Sequence, residues 1–194
     1  MGYTQRINRT NMQFRKAMLR LLDQKPLHQI TVNAISEEAG FDRSTFYNHY
    51  EDQQDLLTQI EDQVLDSINA LRTAKHFFKV SDDEIEGLVR LCEEYHDILS
   101  RLLSDNGEGH FERRISQAAN RAFTAQYGES YVANPEVRLI REGATASSLQ
   151  ILKYWLTTDN TLTVAQVSHT LIAVQQVGPI EALRLLHEDY GREK

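Results

Sequence analysis

The polar side chains between residues 43 and 49 are the set in this sequence best suited to contacting a nucleic acid. They combine a guanidinium group, three hydroxyls, a carboxamide and an imidazole: Arg43, Ser44, Thr45, Tyr47, Asn48 and His49. Such groups can donate to backbone phosphates and pair with base edges in the major groove. An ordinary solvent-facing helix would instead be rich in Glu and Lys. The segment therefore predicts a surface that contacts double-stranded DNA.

A helix-turn-helix over residues 31–50 would position these side chains. The sequence predicts a first short helix that follows Thr31 and ends at Gly40, because glycine readily adopts the left-handed conformation of a sharp helix end. Asp42 is expected to cap the second helix with its carboxylate, and Phe46 to point into the core. In this motif the second helix enters the major groove.

The rest of the chain also reads as helix, because apolar residues recur at helical spacing and no stretch alternates with a period of two. Further helices are predicted over residues 52–75, 81–103, 110–126, 136–157 and 163–176, with a last one starting at Pro179. The predicted fold class is therefore all-α, with an N-terminal three-helix helix-turn-helix domain and a C-terminal helical domain.

The charge distribution supports a division into a DNA-binding domain, residues 1–52, and a regulatory and dimerisation domain, residues 53–194. The first 50 residues contain seven basic and four acidic side chains, a net charge of +3. The remaining residues contain 14 basic and 24 acidic side chains, a net charge of −10. We call residues 1–52 the head and residues 53–194 the body. A basic head on an acidic body favours contact with DNA at one end of the molecule only.

Other classes of function find little support in the sequence. We find no glycine-rich phosphate loop, no metal-ligand spacing and no nucleophile with an adjacent base, so we expect no enzyme, cofactor or metal site. Glu93 and His96 could supply half of a carboxylate metal site, but such sites need a second copy. The single cysteine, Cys92, excludes an internal disulfide. With no apolar run near the length of a membrane span and no signal peptide, we expect a cytoplasmic protein.

The stretch from Ile30 to Tyr50, followed by Asp55-Leu56-Leu57, resembles the DNA-binding domain of the TetR family of transcriptional regulators. The resemblance covers about residues 8–60. It implies a homodimer that binds a near-palindromic operator, most commonly as a repressor, and that a small-molecule effector releases. In addition, the segment from Gly143 to Trp155 resembles the dimerisation helix of one TetR subgroup.

The resemblance also implies roles for individual residues. Thr31 and Asn33 would lie near phosphates, and Arg43, Ser44 and Thr45 would enter the groove. Tyr47 and His49 would hold phosphates, with Asn48 near a base or sugar. One position departs from the family: Gln53 stands where a Lys is common, and it can bond a phosphate without adding charge.

The candidate effector contacts lie on the C-terminal helices, where a few polar groups interrupt apolar faces, as in ligand pockets. The candidate pocket residues are Cys92, Tyr95, His96, Phe111, Ser147 and Trp155. Two interpretations remain open for Cys92 and His96, and the sequence favours a filled core over a ligand contact for both residues. The alternative function is a co-activator or protein-interaction module with the same fold. Dimerisation is expected through the helices at 136–157 and 163–176.

Overall fold

The computed structural model describes residues 3–71 and 81–184, with side chains from residue 8 onward, and these residues form helices and connecting turns without strands. The N-terminal helices are α1 (Tyr3–Leu22), α2 (Val32–Ala39), α3 (Arg43–Tyr47) and α4 (Gln53–Leu71). The C-terminal helices are α5 (Asp82–Glu94), α6 (His96–Leu102), α7 (His110–Tyr127), α8 (Glu129–Val132), α9 (Pro135–Thr157) and α10 (Val164–Val177). This confirms the all-α fold class and its two-part architecture.

The first three helices pack around a cluster of aromatic rings. Phe14 on α1 and Phe46 on α3 are both fully buried, and their rings meet edge-on with centroids 5.2 Å apart. The ring of Phe41, at the corner between α2 and α3, lies 5.3 Å from Phe14. Edge-to-face ring pairs add to the stability that burial alone provides. The cluster therefore holds α3 in a fixed orientation against α1.

Most predicted helix boundaries agree with the structure to within one or two residues. Ser81 and Glu84 form the expected capping box, and an unpredicted second box joins Thr163 to Gln166 at the start of α10. One difference is small, because α8 lies between the predicted helices 110–126 and 136–157, where no helix was predicted. The predicted helical residues 72–75 lie outside the described part of the chain. None of the described helices combines the length and apolar character needed to cross a lipid bilayer.

The predicted helix over residues 81–103 is wrong in one respect, because it breaks at Tyr95. There the backbone leaves the helical region (φ −91°, ψ 15°), so α5 ends at Glu94 and α6 starts at His96. The break changes the direction in which the following side chains point. His96, expected on the apolar face, is consequently exposed. Tyr95 is half-buried, and its hydroxyl lies 3.0 Å from the hydroxyl of Ser67 on α4.

The end of α6 and the segment between α6 and α7 join the C-terminal body to the end of α1 and the residues that follow it. Arg101 donates to the carboxylate of Asp23 at 2.9 Å, and the amide of Asn106 donates to the carbonyl of Leu22 at 2.7 Å. Glu108 accepts from the backbone N–H of His28 at 3.0 Å, and its carboxylate also bonds the imidazole. The hydrogen bond to the imidazole lowers the pKa of Glu108. These contacts fix the position of the head relative to the body.

Candidate nucleic-acid interface

The start of α2 is capped by the side chain predicted to lie near phosphates. Thr31 has an extended backbone, and its hydroxyl accepts from the N–H of Ala34 at 3.2 Å. Asn33, two residues along, is exposed, and its amide donates to Glu37 at 2.7 Å. Both predicted phosphate contacts thus lie at the solvent-facing start of α2, but each already has an intramolecular partner.

The corner between α2 and α3 has the predicted glycine geometry but a different cap. Gly40 is left-handed (φ 73°, ψ 33°), and the N–H of Phe41 donates back to the carbonyl of Ser36 at 3.0 Å. Asp42 occupies the N-cap position of α3, yet its side chain makes no capping hydrogen bond. The backbone carbonyl of Asp42 accepts the N–H of Thr45 instead, at 2.9 Å. The expectation of a carboxylate cap is therefore wrong.

The predicted DNA-contacting residues form one largely exposed surface. Arg43, Ser44, Tyr47 and Asn48 are exposed, whereas Thr45 and His49 are half-buried. The helix itself ends at Tyr47, so Asn48 and His49 lie on the turn that follows. The ring of Tyr47 packs edge-on against Phe46 at 5.7 Å, which restricts its orientation. We refer to these six side chains as the α3 surface.

The α3 surface carries a positive charge that other head residues do not neutralise. Within the described residues Arg43 forms no ion pair, whereas Arg20 pairs with Glu38 at 3.2 Å and Arg15 bonds Gln63 on α4. Donors and acceptors on a rigid short helix, with one unpaired guanidinium, suit phosphate contacts and base-edge recognition. The arrangement can therefore bind the major groove of DNA.

The start of α4 contains a capping arrangement that the sequence reading did not identify. Asp52 accepts from the N–H of Asp55 at 2.8 Å, and Asp55 accepts from the N–H of Glu51 at 3.0 Å. The spacing of the two aspartates, three residues apart before a Leu-Leu pair, was the available signal. Gln53 follows as the first residue of α4 and is half-buried. The acidic group next to Gln53 thus has a structural role in starting the helix.

The six candidate effector residues do not line one cavity among the described residues. His96 and Trp155 share an open groove of about 420 Å³, which Glu93 and Asn160 also line. Phe111 is fully buried in the core, and the half-buried Ser147 donates to the carbonyl of Ala144 at 3.0 Å. The remaining two candidates, Cys92 and Tyr95, lie elsewhere on α5 and at its end.

Cys92 has the environment of a small core residue. It is 4% exposed, and burial raises the pKa of its thiol to about 12. A protonated thiol in an apolar setting is neither a strong nucleophile nor a metal ligand. Among the two interpretations left open by the sequence, the structure favours the core for Cys92. For His96 the exposed position excludes the filled-core alternative.

The comparisons with known proteins agree with this geometry. Residues 15–60 match the family described as bacterial regulatory proteins, tetR family. The fold is similar to a TetR transcriptional regulator from Streptococcus agalactiae 2603V, with a TM-score of 0.62 and 22% identity over 89% of this chain and 96% of that one. It is also similar to the fatty acid degradation regulator FadR from Bacillus halodurans, with a TM-score of 0.55 and 14% identity over 87% and 93% of the two chains. No curated protein sequence matches the chain.

The α3 surface lies within residues 15–60, the segment that matches the tetR family of bacterial regulatory proteins, so this part of the chain is a DNA-binding domain of the TetR type. The match confirms the resemblance found in the sequence. Within the described residues, no group of His, Cys, Asp and Glu is arranged to hold a metal ion.

Proposed function

We propose that this protein is a homodimeric repressor that binds a near-palindromic DNA operator and that a small-molecule effector releases. The observation that carries the proposal is the α3 surface, which the buried Phe46 anchors from below. A two-fold dimer presents two such surfaces, so the two half-sites of its DNA operator are related by the same two-fold symmetry. Because its partner is DNA, we expect the protein to act in the cytoplasm.

The proposed contacts follow the order of the elements. Arg43, Ser44 and Thr45, in the first turn of α3, reach base edges. Tyr47 and His49 bind phosphates. The other expected contacts are the exposed Asn48, the half-buried Gln53, and Thr31 and Asn33, which already have intramolecular partners. In this scheme residues 1–52 are the DNA-binding domain, and residues 53–194, which begin with the contact residue Gln53, bind the effector and the second subunit.

Exposed apolar side chains support the proposed dimer. Leu139 and Ile140 on α9 are 75% and 72% exposed, and Ile180 and Leu183 after α10 are 79% and 64% exposed. The helices α9 and α10 pack against each other. Exposed apolar patches on a soluble protein commonly mark interfaces. Pairing of α9 and α10 with their copies would form the four-helix interface expected from the sequence.

The proposed effector acts on the distance between the two heads. The α4 helix follows directly after α3 and contacts α5 and α7, so a shift in the body would reach the head through it. A ligand that prefers dimers with wider-set heads lowers operator occupancy, by at most its difference in affinity between the two states.

Selection of duplexes from a random library by the full-length protein tests this function directly. We expect enrichment of one near-palindromic site, protection of two half-sites about one helical turn apart, and a dimer by light scattering. The combined Tyr47→Ala and His49→Ala variant is expected to recover much less DNA in total while keeping the same sequence preference, because it loses phosphate contacts and no base contact. As a matched control, Arg90→Ala, at an exposed position on α5, should enrich the same site as the wild type. Recovery of no site by the wild type would favour the protein-interaction alternative.

A further inference from the structure

The inward face of α9 contains one charged residue at a core position. Arg141 is only 9% exposed, whereas its neighbours Leu139 and Ile140 point outward. Farther along the helix, Trp155 and Leu156 are buried. Since buried arginines are rare unless their charge is compensated, the surroundings of Arg141 need explanation.

The partners of Arg141 compensate its charge only in part. Its Nη2 donates to Glu142 at 3.0 Å, but that carboxylate is nearly half exposed. The guanidinium carbon lies 5.6 Å from the centroid of the Phe123 ring on α7. The buried Nε–H has no hydrogen-bond partner among the described residues. A buried donor without a partner costs free energy, so the guanidinium retains capacity for a further acceptor.

Aromatic rings extend from Arg141 to the surface. The Phe123 ring lies 4.7 Å from Tyr127 and 6.3 Å from Tyr131, with the rings of Phe123 and Tyr131 inclined by 27°. Tyr131 on α8 is 43% exposed, so the cluster reaches solvent there. Aromatic walls with a small number of polar groups are typical of small-molecule sites.

We propose that Arg141 binds the carboxylate of a monoanionic organic ligand whose planar or apolar part packs on Tyr131, the exposed end of the aromatic cluster. This deepens the proposed function, on which it rests, by assigning a chemical class to the effector. A guanidinium can bind both oxygens of a carboxylate at once. A single arginine that Glu142 partly neutralises suits one negative charge better than the two of a phosphate.

Binding exchanges one carboxylate for another. Glu142 releases Nη2 of Arg141 and remains bonded to the amide of Asn120, which already donates to it at 3.3 Å. Because Glu142 is largely exposed, its charge returns to solvent at little cost. The arginine then makes bonds through Nε and Nη2 to the ligand. Glu142 is therefore a competitor of the ligand, and its removal should strengthen binding.

Calorimetry on the full-length protein tests the site with three carboxylates and their neutral amides at matched ionic strength: benzoate, phenylacetate and octanoate. We expect at least one acid to bind about tenfold more tightly than its amide, and Glu142→Gln to tighten that binding further. Arg141→Met should abolish the preference for the acid, whereas Arg138→Met, at an exposed position on the same helix, should keep it. If Arg141→Met fails to fold, the acid–amide comparison and Glu142→Gln still decide the matter.

Several results would overturn the assignment. One is equal binding of every acid and its amide, and another is an equal loss of the acid preference in Arg141→Met and Arg138→Met. The others are weaker acid binding by Glu142→Gln and tighter binding of inorganic phosphate than of any carboxylate. Operator binding by the same proteins separates this proposal from the previous one. If the wild type binds its operator but shows no acid preference, only the ligand assignment fails. If it binds no operator, the proposed function fails whatever the acids do.

Discussion

The Nδ1 atom of His110 lies 2.7 Å from Oε1 of Glu61, and the carboxylate of Glu61 is completely buried between α4 and α7. Arg114 donates to the second oxygen at 2.8 Å. On the other side of the ring, the amide of Gln54 lies 2.9 Å from Nε2 of His110. A neutral imidazole with its proton on Nδ1 can donate to Glu61 and accept from Gln54. His110, in the first turn of α7, is thereby bonded to Gln54 in the first turn of α4 and to Glu61 two turns farther along α4.

Arg114→Met should destabilise the protein strongly. The substitution leaves the buried carboxylate of Glu61 with His110 as its one remaining partner. We therefore expect the free energy of unfolding to fall by about 3 kcal/mol. This value is at the low end for a broken buried ion pair, because the guanidinium is partly exposed. Chemical denaturation measures the change. Arg121→Met, at an exposed position on the same helix, should stay within about 0.5 kcal/mol of the wild type. Equal effects of the two substitutions would mean that the cluster contributes little to stability.

Two glycine-to-alanine substitutions should change the free energy of unfolding in opposite directions. A Cβ at Gly87, inside α5, meets nothing within 4 Å, so Gly87→Ala should stabilise by about 0.5–1 kcal/mol through its helix propensity. A Cβ at Gly107 would lie 2.3 Å from the carbonyl oxygen of Leu102, so Gly107→Ala should destabilise by about 1–3 kcal/mol. Thermal melting distinguishes the two. A stabilising Gly107→Ala would contradict the close packing of the segment between α6 and α7.

Cys92 should react slowly with iodoacetamide in the folded protein. Burial raises the pKa of its thiol from 9.0 to about 12, so at pH 8 the folded state holds about a thousandfold less thiolate than the unfolded state. Mass spectrometry of alkylation, with and without denaturant, measures the ratio. Since folding disfavours the thiolate, the free energy of unfolding should also fall as the pH rises from about 9 towards 12. Similar labelling rates in the two conditions would show that Cys92 is accessible.

The sequence predicted those features that depend on neighbours along the chain. The α3 surface lies within seven consecutive residues, and Gly40 and Phe46 have local signatures. Both the helix-turn-helix and the side chains of its exposed surface could therefore be predicted from the sequence. The helices α7, α9 and α10 followed from apolar periodicity. Local patterns of this kind determine helices and short motifs.

Features that depend on distant parts of the chain were not predicted. Tyr95 sits among good helix formers without a glycine or proline, and its hydroxyl contacts Ser67, 28 residues earlier. Glu61 looked like an ordinary polar residue of α4, and its partners His110 and Arg114 follow 49 and 53 residues later. Whether the candidate pocket residues would share one cavity could not be predicted for the same reason, because they come from separate helices whose relative rotation the sequence does not show.

The central claim is that the α3 surface reads DNA sequence. The most direct test compares the affinity of the protein for the selected operator with its affinity for a scrambled duplex of equal length. Fluorescence anisotropy should show that Arg43→Ala reduces the discrimination between the two by about 1–3 kcal/mol, because the lost guanidinium contacts a base edge. Tyr47→Ala should weaken both complexes about equally, and Arg90→Ala should change neither. If the wild type binds the two duplexes alike, or Arg90→Ala costs as much discrimination as Arg43→Ala, the α3 surface does not read DNA sequence.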